Sequence, residues 1–237
     1  MAAAAPKKGT RPEGERTVPA TGTARTKRVG DARLRPTLRQ PASALGSRAT
    51  HTIGKILVAT KDVFLTSGYA GTSVDEITQK AGVSRASFYT YFPTKRDALL
   101  TLGAHASNAA EAATDRLASF GPEFTFDQLH AWVVDYFELL HDHGAFSLAW
   151  TQAAGEEIAL RKAGMKRHLA ICARLGAALG SLRGQPFARA TDMGLLVFSM
   201  LDRSWSFGSL YRTDVDLGAL QRQAASVIAA IVRGVHE

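Results

Sequence analysis

The chain has 237 residues, enough for one or two domains and a sizeable core, and its hydrophobic share of 46% is ordinary for a folded protein. The single cysteine, Cys172, excludes a disulfide framework within the chain and fits a reducing compartment, so it reads first as a small buried hydrophobe. The net charge of +8 belongs to the leader, because residues 1–50 hold eleven Lys and Arg against three acids and the remainder is formally neutral.

Residues 1–45 carry almost no aromatic or β-branched aliphatic side chains and are rich in Ala, Arg, Thr, Pro and Gly. Such a segment buries too little surface to offset its ordering entropy, so a disordered basic tail is expected. It lacks the continuous apolar run of a secretory signal, although its Arg-rich, acid-poor composition has the character of an organellar transit peptide. Two readings stay open for it: a basic arm adding salt-dependent phosphate contacts, and an inert extension.

From Ile53 to Leu100 the punctuation is sharp. Ile53, Ile56, Leu57, Val63 and Phe64 make one apolar stripe of a helix that Gly68 ends. Ser73-Val74-Asp75-Glu76 is a capping box opening a second helix, in which Ile77 and Ala81 face inward and Gly82 supplies the turn. Ser84 is placed to cap a third helix over 85–91, and Pro93 stops it because Phe92 is disfavoured in the α region. Thr94 caps the next helix with Asp97 three residues on. Lys95 and Arg96 oppose the dipole in that first turn, a misfit that a bound phosphate would reverse.

The third helix is polar except for Phe88, which pairs inward with Phe92 at i, i+4. A helix that enters a major groove needs small residues at its tip and donors along its flank. A helix packed in an ordinary all-α core with a solvated polar face has the same pattern, and spacing leaves both open.

The tokens Ile56-Leu57, Gly68-Tyr69, Thr72-Ser73-Val74, Ala81-Gly82-Val83-Ser84, Phe88-Tyr89-Thr90-Tyr91-Phe92 and Lys95 with Leu99 resemble the DNA-binding domain of the TetR/AcrR family of bacterial transcriptional regulators. The likeness covers about a fifth of the chain. It departs from the usual pattern at Ile53, where many members carry Arg, and at Phe88, where Leu is usual. By position, the resemblance implies that Arg85, Ala86 and Ser87 face base edges and that Thr72, Ser73, Tyr89, Thr90, Tyr91 and Lys95 hold phosphates of double-stranded DNA. A bacterial regulator has no use for a transit peptide.

Beyond Lys95 the chain reads as helix after helix, over about 95–119, 126–141, 146–154, 156–182, 188–211 and 215–235, with Gly144 expected to separate the second from the third. Glu156 and Glu157 read as first-turn acids, with Arg161 as an i, i+4 partner. No strand pattern or internal repeat is visible, and no apolar run is long enough for a membrane span. The fold expected is all-α: the tail over 1–45, a three-helix helix-turn-helix head over 46–93, and a helical ligand-binding and dimerisation bundle over 94–237. The resemblance further implies a homodimer through the last two helices.

Trp132, Tyr136, Phe137, Phe146, Trp150, Cys172, Phe198 and Trp205 are the candidate walls of an effector pocket, although pocket and core use the same residue types. Their abundance favours a largely apolar small molecule. His141-Asp142-His143 has the wrong spacing for a metal site on a helix, where i, i+4 is the working separation. With no catalytic constellation and no cofactor motif, the expected function is a cytoplasmic, ligand-responsive repressor. An architectural DNA-binding protein without an effector is one alternative, and a helical small-molecule-binding or catalytic protein is another.

Overall fold

The computed structural model describes residues 46–210 and 214–234; the basic tail expected over 1–45 lies outside the described residues. Within them the chain is helical, with no strand.

Helix α1 (Ser47–Gly71) starts before the apolar stripe that announces it and buries Ile56, Leu57, Val63 and Phe64 along one face. At Gly68 the backbone leaves helical geometry (φ 69°, ψ 172°), a conformation open essentially to glycine, and a last turn follows. Helix α2 (Val74–Ala81) begins with the expected capping box: Ser73 Oγ accepts the Glu76 amide, and Glu76 accepts the Ser73 amide. Gly82, left-handed at φ 64°, turns the chain into α3 (Arg85–Tyr91), capped by Ser84 Oγ accepting the Ser87 amide at 3.1 Å. Phe92 is extended before Pro93, as the ring of a following proline requires. Phe88 and Phe92, with ring centroids 5.7 Å apart, are buried with Ile56, Ile77 and Ala98 in the core of the head.

Helix α4 (Lys95–Ala118) carries the chain from the head into the bundle, and Thr94 caps it. Helix α5 (Phe126–Glu156) then runs unbroken for 31 residues, correcting the expected break at Gly144. A side chain at Gly144 would collide with the Trp205 indole, so the glycine makes room for a neighbour instead of ending a helix. The reading of Glu156 and Glu157 as first-turn acids also fails. Glu156 closes α5, and Glu157 stands between α5 and α6 (Ile158–Arg183), where its carboxylate pairs with Arg96 at 3.3 Å instead of with Arg161.

Helix α7 (Ala190–Leu210) lies hard against α6: a methyl on Gly176 would meet the Ala190 carbonyl, and one on Gly194 the Cys172 carbonyl. Helix α8 (Leu217–Arg233) completes the bundle, whose main core gathers Leu117, Trp132, Phe137, Leu179, Leu201 and Ile228. No described helix is long and apolar enough to cross a membrane.

Candidate nucleic-acid interface and effector cavity

The α2–α3 unit presents one polar edge. Arg85, Ala86 and Thr90 are exposed, Ser87, Tyr89 and Tyr91 are half-buried, and Phe88 anchors the helix from beneath. Arg85 Nη1 lies 2.7 Å from both carboxylate oxygens of Asp75, and its other amino group is 3.4 Å from the Tyr89 hydroxyl. The guanidinium is therefore held along the α3 flank, a partner the sequence hid because Asp75 reads there as an ordinary first-turn acid. The Thr90 hydroxyl donates to the Ala86 carbonyl at 2.9 Å. Ser73 is exposed at the start of α2, and its amide and hydroxyl keep the Glu76 carboxyl below its ordinary pKa range.

Two expected phosphate contacts take other tasks. Thr72 is buried, and its hydroxyl donates to the Gly68 carbonyl at 2.6 Å, so its side chain faces the α1 kink and not a groove. Lys95 directs its ammonium to the carbonyls of Tyr69 (2.7 Å), Thr72 (2.8 Å) and Ala70 (3.4 Å), and it lies 4.7 Å from the Tyr69 ring centroid. A cation at a helix C-terminus is favourable, so the apparent misfit in the first turn of α4 is resolved inside the chain, at the end of α1.

The second feature is a cavity of about 850 Å³ enclosed by α4, α5, α6 and α7. Of the eight residues named from the sequence, Tyr136, Phe146, Trp150 and Phe198 line it. Trp132, Phe137, Cys172 and Trp205 do not. Trp132 is core, its indole N–H donating to the Ala113 carbonyl at 2.8 Å, and Phe137 is core beside it. Cys172 is buried with its sulfur 3.6 Å from His168 Nε2, and Trp205 fills the space over Gly144. Phe146 and Trp150 lie over Gly103 and Gly164, where a side chain would collide with them.

Sequence reasoning missed the polar wall. His143, Arg167, His168, Asp202 and Arg203 all line the cavity. The His168 ring stands edge-on to Phe198, with centroids 4.6 Å apart. Burial pushes the Asp202 carboxyl up, and burial pushes His168 and His143 down. The Tyr136 hydroxyl is also raised, by burial first and then by Asp202. A lone Asp and a lone His more than thirty positions apart carry no joint signal until α6 and α7 are paired.

The structure thus sets a helix-turn-helix head on a hollow helical bundle. Residues 56–101 match the model of the bacterial regulatory proteins of the tetR family. The regulator EthR of Mycobacterium tuberculosis is 33% identical over 106 residues, 44% of this chain and 48% of EthR. CymR of Pseudomonas putida is 34% identical over 117 residues, 48% of this chain and 57% of CymR. The chain thus spans about half the length of the curated relatives it matches. In overall fold it is similar to a transcriptional regulator from Aquifex aeolicus (TM-score 0.60, 18% identity, 76% of this chain and 99% of that one). It is also similar to FadR of Bacillus subtilis, solved with stearoyl-CoA (TM-score 0.55, 20% identity, 77% and 99%). The likeness to the tetR family therefore rests on the head, residues 56–101, and the likeness to the solved regulators on the fold.

Proposed function

We propose that the protein is a dimeric transcriptional repressor, released from a palindromic operator when a largely apolar small molecule enters the cavity between α4 and α7. The observation that carries this reading is the pairing of an exposed α3 edge with a large aromatic-walled cavity in one chain, bridged by α4 and α1. In this reading residues 46–93 read DNA and residues 94–237 bind effector and partner. Arg85, Ala86 and Ser87 face bases, and Ser73, Tyr89, Thr90 and Tyr91 contact phosphates. Two-fold pairing through α7 and α8 sets the two α3 helices one DNA turn, ~34–36 Å, or a small multiple apart. The exposed Leu195, Leu196 and Phe207 of α7 and Val227 of α8 support that pairing, since solvent gains nothing from them. FadR, with its bound stearoyl-CoA, supports an effector site in this fold, here in a protein that works in the cytoplasm and catalyses nothing.

Release requires that ligand bind the DNA-incompetent arrangement more tightly. A ligand between α4 and α5 tilts α4, and the two heads lose operator spacing. The test is a gel shift on fragments selected from a random DNA pool, with and without an extract of apolar metabolites. Sequence-specific binding relieved by the extract is expected. Equal binding to every fragment would instead support an architectural protein, the reading favoured by the leader's charge. Failure to bind any DNA would support a helical protein whose head has lost its target.

A further inference from the structure

The polar wall of the cavity is not balanced within the chain. Asp202 and Phe198 lie one turn apart on α7, facing His168 of α6 and Tyr136 of α5. Among the described residues the Asp202 carboxylate makes no hydrogen bond and no ion pair, and the Tyr136 hydroxyl makes no hydrogen bond. Arg203 and His168 lie near enough to favour the Asp202 charge, but neither bonds it. Arg167 reaches Asn108 Oδ1 at 3.5 Å, and the Arg203 guanidinium sits 5.6 Å from the centroid of the exposed Phe207 ring. A half-buried carboxylate with no bonding partner is costly, and burial has pushed this one above its ordinary range against the opposing pull of Arg203 and His168. The remaining wall, with Phe146, Trp150, Phe198 and Tyr136, presents ring faces and edges of the kind that receive organic cations.

We propose that the cavity takes an organic amine: an elongated apolar body with one protonated nitrogen, the nitrogen meeting Asp202 beside Tyr136 and the body extending along α5 toward Phe146 and Trp150. Tyr136 and Trp150 lie on one unbroken helix, roughly 21 Å apart along its axis, so an extended body suits the space better than a compact one. His168 stays neutral in this arrangement, since burial already disfavours its cation. This proposal rests on the effector reading of the cavity and adds the chemical class of the ligand.

The experiment uses the full chain and three probes that share one body: 6-phenylhexylammonium, 6-phenylhexanol and 6-phenylhexanoate, titrated by calorimetry. The amine is expected to bind at least about tenfold more tightly than the alcohol, a margin typical of one charge-assisted contact. Asp202→Asn should erase that margin. Arg203→Gln, at an exposed side chain, should widen the margin by removing a competing cation, and it serves if the Asp202 variant fails to fold. The proposal is overturned if the carboxylate probe binds tightest, if the amine's margin survives Asp202→Asn, or if none of the three binds. A gel shift on the selected DNA, run with the amine, separates this from the regulator reading. Binding without release from DNA would sustain the amine site and refute the effector role, whereas release by the alcohol or acid alone would do the reverse.

Discussion

The carboxamide oxygen of Gln152 accepts the backbone N–H of Tyr69 at 2.7 Å, joining residues 83 apart in the chain. The carbonyl of the same residue accepts from Lys95 at 2.7 Å, so the last turn of α1 is held by α5 on one side and by α4 on the other. Thr151 and Trp150, which precede Gln152, line the cavity. Lys61 adds a second tie along α1, its ammonium 2.8 Å from the Asp142 carbonyl of α5. The helix that walls the cavity and the helix-turn-helix head are therefore tied through one residue, Tyr69, so displacement of α5 reaches the head through α1 as well as through α4.

Gln152→Leu removes one of these ties. A net loss of about 1 kcal/mol is expected, a fall in melting temperature of roughly 2–4 °C for a chain of this size. DNA affinity should hold while its relief by effector weakens. Calorimetric melting and gel shifts with and without effector check both parts, and full relief in the variant would remove α1 from the path.

Gly68→Ala meets two obstacles, a backbone at φ 69° and ψ 172° and the Gln152 oxygen 2.6 Å from the added carbon. A cost of about 1–3 kcal/mol is expected for the backbone alone. Urea unfolding measures it, and an unchanged midpoint would contradict the kink.

Lys95→Met separates a structural lysine from a phosphate contact. Because its ammonium serves carbonyls at the end of α1, DNA affinity should fall on all sequences alike with the salt dependence unchanged. A direct phosphate contact would instead lower the salt slope by about one. Arg85→Ala is expected to act differently, relaxing choice at one base position by about 1–3 kcal/mol if its fork reads guanine. Selection from a random pool reads that change.

Trp132→Ala should cost about 3–5 kcal/mol, because the residue is buried and its indole N–H bonds the Ala113 carbonyl. Trp150→Ala should cost less stability and act chiefly on ligand affinity, since Trp150 faces the cavity. Parallel denaturation and ligand titration of the two variants test the division between core and pocket.

The raised Asp202 carboxyl gives a pH signature. An acid whose pKa is higher folded than unfolded binds more protons in the folded state, so stability falls as pH rises from the ordinary carboxylate value through the raised one. Asp202→Asn should therefore melt above the parent at neutral pH, with the gap closing in acid below the ordinary carboxylate range. His168 contributes the opposite slope, losing stability as pH falls below its ordinary value, and it does so in both proteins. Melting curves across pH decide it; a gap that persists in strong acid would point to packing instead of charge.

The head was legible from residue order because its determinants are local. A capping box spans four residues, Gly82 and Pro93 act on their own backbone torsions, and Phe88 and Phe92 meet across one turn. The same locality explains the misreadings. Gly144 looks like a breaker until Trp205 occupies the space over it, and Lys95 looks misplaced until the end of α1 comes within reach. Whether Trp132 lines a cavity or fills a core, and whether Asp202 meets a partner, depends on which helices pack together, and that is settled by long-range burial between side chains with no fixed spacing along the chain. Residue order alone thus determined the three-helix head, while the cavity, its unpaired carboxylate and the clamp on Tyr69 exist only once α4 to α7 have closed around one another.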